Sequence, residues 1–87
     1  MTSALEELGH DADFRCMEVE VTPGVRVHVE HEAELYTLRL IGDHSRYEFC
    51  AEDELPSTLA ILCELDMNDQ VARRRVLLAA DRIVSGR

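Results

Sequence analysis

Cys16, Cys50, Cys63, His10, His28, His31 and His44 are the residues whose types could hold a metal or attack a substrate. Their spacing argues against both. His28 and His31 stand three apart in a segment of period two, so a regular strand points them to opposite faces, and they cannot share one ion. A thiol–imidazole nucleophile needs the two groups in hydrogen-bond reach with a third group orienting the base. His10 and Cys16 are near in sequence, but no third partner is specified. The cysteines are odd in number and contain no CxxC, so they read as free thiols rather than a disulfide framework. Eighteen acids make neighbouring carboxylates inevitable and therefore uninformative. No GxGxxG, P-loop, HExxH or GxSxG occurs. The expectation is a chain with no catalytic residue, no metal and no cofactor.

Charge carries more. Eighteen Asp and Glu face nine basic residues, all arginine, for a formal net charge of −9. That balance disfavours direct contact with nucleic acid, which needs a basic face. The sole basic run, Arg73-Arg74-Arg75, would fan over about 200° of a helix rather than form one patch. The acidity serves solubility or salt adaptation, or it steers a basic partner to the surface over long range.

The remaining elements must position whatever surface does the binding. Ser3-Ala4-Leu5-Glu6 fits a capping box, which predicts a short N-terminal helix ending at Gly9. From residue 16 hydrophobic residues alternate with polar ones, predicting four short strands. Pro23-Gly24 and Gly42-Asp43-His44-Ser45 punctuate the first and third connections, whereas the middle one, around Glu32-Ala33, lacks a turn residue.

One buried face requires the valines of the first two strands on the same side. That pairs Val21 with Val25, Val19 with Val27 and Met17 with Val29. It demands a longer turn or a bulge near Gly24. Extending the lattice pairs Val27 with Leu38 and Val29 with Tyr36, then Leu40 with Tyr47 and Leu38 with Phe49. The outer rows then read Glu20–Arg26–Arg39–Glu48 and Glu18–His28–Thr37–Cys50. The buried face is expected to hold Val19, Val27, Leu38 and Phe49 against Leu59, Leu62, Val76 and Ile83.

After Ala51 the period becomes 3.6. Leu55, Leu59 and Leu62, widened by Ile61 and Leu65, mark one helix. Met67-Asn68-Asp69 ends it and caps a second, running to about Ser85 with the stripe Ala72, Val76, Ala79 and Ile83. The fold class expected is α+β: a short N-terminal helix, a four-stranded antiparallel meander, and a C-terminal helical hairpin packed on one sheet face. All 87 residues make a single domain. The longest apolar runs, such as Val76–Ala80, are too short to span a bilayer, and the N-terminus lacks the basic and apolar regions of a signal peptide. The expected location is the cytoplasm, away from the membrane.

Two apolar residues break the amphipathic pattern. Leu78 falls on the polar face of the last helix among Arg74, Arg75, Asp81 and Arg82, an apolar centre with a charged rim. Leu35 falls on the outer sheet face near Glu30. The expected partner-binding set is Leu78, Arg74, Arg75, Arg82, Glu18, Glu20, Glu30 and Leu35. The function expected is that of a small acidic, non-catalytic protein-binding module. Its sharpest form is an inhibitor that occupies a basic, nucleic-acid-binding surface of another protein, in the manner of phage-type antagonists. A homodimeric structural, assembly or chaperone-like adaptor is the alternative, and a thiol-dependent sensor or small enzyme the third reading.

Overall fold

The structure, a computed structural model, describes residues 14–43 and 45–86. The predicted helix at residues 3–9 lies outside the described residues. Strands β1 (Phe14–Thr22), β2 (Val25–Glu32), β3 (Leu35–Leu40) and β4 (Tyr47–Cys50) form one antiparallel sheet in the order β1-β2-β3-β4. A 3₁₀ turn at Glu52–Glu54 leads into helices α1 (Leu55–Cys63) and α2 (Gln70–Ser85), which cover one face of the sheet. The fold is α+β, a meander followed by a helical hairpin.

β1 and β2 pair as expected at Val19–Val27 and Met17–Val29, but Val25 lies opposite Thr22 rather than Val21. The faces are reconciled by an irregularity between Glu20 and Thr22 rather than at Gly24. Val21 is the extra residue, buried, while Gly24 supplies the positive φ of the turn.

Two registers differ from expectation. β2 pairs with β3 through Val27–Leu40, Val29–Leu38 and His31–Tyr36, two residues along from the predicted pairing. An even slip keeps every side chain on its face, so the hydrophobic pattern accommodates both registers. The turn decides between them. The observed loop is Ala33-Glu34, and Ala33 takes φ 58°. The alternative would put the larger Glu32 first in that turn.

β3 pairs with β4 through Tyr36–Cys50, Thr37–Phe49, Leu38–Glu48 and Arg39–Tyr47. This is an odd slip, and it reverses the faces of β4. Phe49 and Tyr47, expected inside, stand on the outer face, and Cys50, expected outside, is buried. Glu48 leaves the predicted outer row as well. The interior beside β3 and β4 is filled by Leu55, Leu59 and Leu62, so a close-packed core accepts the small Cys50 there. Glu48, opposite Leu38 in register, stays exposed, and its charge blunts β4 as an edge strand.

The second helix is capped where its sequence predicts, whereas α1 ends at Cys63, before the expected Met67-Asn68-Asp69 break. Asp69 caps α2, its carboxylate accepting from the N–H groups of Val71 (2.9 Å) and Ala72 (3.4 Å). Gly86 closes it at φ 81°. Glu64 closes α1 in the left-handed region, φ 59°. Arg46 secures that end, donating to the Glu64 carboxylate (2.7 Å) and the Leu62 carbonyl (3.1 Å). The core joins Val19, Val27, Val29, Tyr36 and Leu38 to Leu59, Leu62, Val76, Ala79 and Ile83. Ile61, expected to widen the α1 stripe, is exposed, because α2 and the sheet occupy only the other side of that helix.

Candidate binding surface

The helices leave the second face of the sheet open. By strand alternation and register that face carries Cys16, Glu18 and Glu20 from β1, and Arg26, His28 and Glu30 from β2. β3 adds Leu35, Thr37 and Arg39, and β4 adds Tyr47 and Phe49. Four of the residues predicted to bind a partner, Glu18, Glu20, Glu30 and Leu35, therefore share one surface. The other four, Arg74, Arg75, Leu78 and Arg82, lie on α2 in the opposite layer. The predicted set is two surfaces, not one.

The open face divides into halves. On the β1–β2 half the charges satisfy one another. Arg26 pairs with Glu18, the His28 Nε2 atom lies 3.3 Å from the Glu30 carboxylate, and Glu20 accepts from the Gly24 N–H at 3.1 Å. On the β3–β4 half, Tyr47 and Phe49 meet edge to face with ring centroids 5.4 Å apart. They are 51% and 57% exposed. Arg39 stands between them and His28, with no ion-pair partner among the described residues. His28, Glu30, Thr37, Arg39, Tyr47 and Phe49 line a shallow hollow of about 230 Å³. That is below the size of an ordinary small-molecule pocket. Comparison with protein-family models, curated proteins and solved structures finds no match for the chain.

Sequence reasoning placed Arg39 on the outer face, but beside Glu48, and missed Tyr47 and Phe49 as its surface neighbours. Cys50 was the available signal: it is the one small residue of β4, and alternation from a buried Cys50 puts both aromatic rings outside.

The groups with chemical potential are dispersed. Cys16 is opposite Glu30 in register and so faces outward, whereas His31 lies on the covered side, stacked on Tyr36 at 3.9 Å. Burial pushes the Cys50 thiol up, only partly offset by a hydrogen bond with Thr58, and burial raises Cys63 against the opposing pull of Arg46. Both thiols are thereby held in the unreactive, protonated form. Among the described residues no three His, Cys, Asp or Glu side chains gather to hold a metal ion, and no helix is long and apolar enough to cross a membrane.

Proposed function

We propose that the chain is a non-catalytic protein-binding module that engages its partner through the open face of the sheet. The observation that carries this reading is the exposed Tyr47–Phe49 pair on the sheet face that neither α1 nor α2 covers. Aromatic side chains with a neighbouring arginine are the groups that dominate binding energy at protein interfaces. Here Arg39 lies beside the pair, and Leu35 extends the apolar area along β3. Glu18, Glu20 and Glu30 border it on the far strands, which disfavours a phosphate backbone and favours a protein surface with a basic margin.

The net charge of −9 supports the narrower form. The partner presents a basic surface that otherwise takes nucleic acid, and this chain occupies it as an inhibitor. Long-range attraction then speeds encounter, and the aromatic pair holds the complex.

The test is affinity capture at low salt with the wild-type chain and with the Tyr47→Ala/Phe49→Ala double variant. The expected result is a basic protein retained by wild type, released by added salt, and absent from the variant. Adding nucleic acid should compete for the captured protein. A partner held equally well by the variant, or indifferent to salt, would overturn the reading.

A further inference from the structure

Helix α2 carries Arg73, Arg74, Arg75 and Arg82 against one acid, Asp81, a formal +3 inside a chain of −9. The side pointing away from the core reads Gln70, Arg74, Leu77, Leu78, Asp81 and Ser85, at the recurring spacing of one helical face. Leu78 is 58% exposed and Leu77 44%. Arg74 and Asp81 have no ion-pair partner among the described residues. Arg73 borders the ridge beside Leu77, and Arg75 turns to the sheet and donates to the Thr22 hydroxyl at 2.8 Å.

The ridge is self-complementary. Arg74 and Asp81 sit at equal distances, about 5 Å along the axis, on either side of the point midway between Leu77 and Leu78. A second α2 laid antiparallel through that midpoint, on a two-fold axis, sets Leu77 against Leu77 and Leu78 against Leu78. It also sets each Arg74 opposite the Asp81 of the other copy. Gln70 meets Ser85 at both ends. A parallel arrangement would stack arginine on arginine. An apolar centre flanked by two symmetric ion pairs is the form an isologous contact takes.

From this geometry we propose that α2 docks a second copy of the chain, pairing antiparallel with its own twin through Leu77, Leu78 and two Arg74–Asp81 bridges. A shallow hollow lined by Gln70, Arg73, Arg74, Leu77, Leu78 and Asp81 receives the opposing leucines. The contact is one helix wide, so it falls in the small-interface class and gives a weak, concentration-dependent dimer. Both open sheet faces remain free in the dimer, so this contact is independent of the binding surface assigned above.

The test is sedimentation of the full chain over a wide concentration range, with circular dichroism to show that each variant folds. Wild type should move from monomer to dimer. Arg74→Asp and Asp81→Arg should each weaken self-association about tenfold or more, because each sets like charges face to face. Mixed together, the two variants should form a heterodimer at wild-type strength, since one bridge then keeps its native sense and the other forms with its sign reversed. Leu78→Glu should stay monomeric. A wild type that remains monomeric throughout would overturn the proposal. So would a mixture of the two charge variants that associates no better than either alone, the result expected if Arg74 serves an acidic partner of another kind.

Discussion

Tyr47 and Phe49 pack edge to face at 83° on the side of β4 turned away from both helices. Their contact holds two rings in a fixed arrangement in water, at a place where a core would have absorbed them.

Removing the rings should therefore cost little stability. Phe49→Ala is expected to lower unfolding free energy by about 1 kcal/mol at most, the scale of one aromatic pair at an exposed site. A buried phenylalanine would cost about 3–5 kcal/mol. Thermal denaturation distinguishes the two, and a large loss would mean that Phe49 faces the core.

Val27 is the opposite case. It is fully buried, between Val19 and Leu40 in the register. Val27→Asp places an unpaired carboxylate there and should unfold the domain, seen as loss of the cooperative thermal transition. Glu18→Ala, on the open face, should change stability by about 0.5 kcal/mol or less.

Ala33 carries a conformational cost at the β2–β3 turn, with φ 58° at a residue that has a Cβ. Ala33→Gly removes that clash and adds some chain entropy to the unfolded state. The net expected gain is up to about 1 kcal/mol, read as a rise in Tm. A fall in Tm would show that the turn is not in the left-handed region.

The thiols give a pH-dependent prediction. Burial raises Cys50 and Cys63, so both are neutral in the folded protein when unfolded thiols would already ionise. A raised folded value means this contribution to stability is complete below the ordinary thiol range and is lost as pH rises from there through the raised folded values. Urea denaturation from neutral to alkaline pH should show the midpoint falling in that window. Under native conditions an alkylating agent should modify the exposed Cys16 first, with Cys50 and Cys63 reacting on unfolding. Mass mapping of the labelled peptides checks the order.

Much of the architecture was legible in the residues themselves. Alternation from Cys16 to Leu40 marked three strands and which side of each is buried. The i, i+4, i+7 leucines of α1, the stripe of α2 and the Asp69 cap marked the hairpin. These are local signals: backbone period and side-chain polarity act over a few residues, and the structure preserves them. The same pattern put Glu18, Glu20, Glu30 and Leu35 on the outer face and left Leu78 unsatisfied on α2.

Tertiary structure decided the rest. A slip of two between β2 and β3 leaves every side chain on its own face, so hydrophobic patterning is blind to it, and the positive φ of Ala33 settles it. β4 has only four residues, Tyr47, Glu48, Phe49 and Cys50, too few for alternation to outweigh packing. Its orientation follows from the volume that Leu55, Leu59 and Leu62 leave beside β3, which takes a cysteine. That one-residue choice turned two aromatic side chains out of the core and onto the open sheet face.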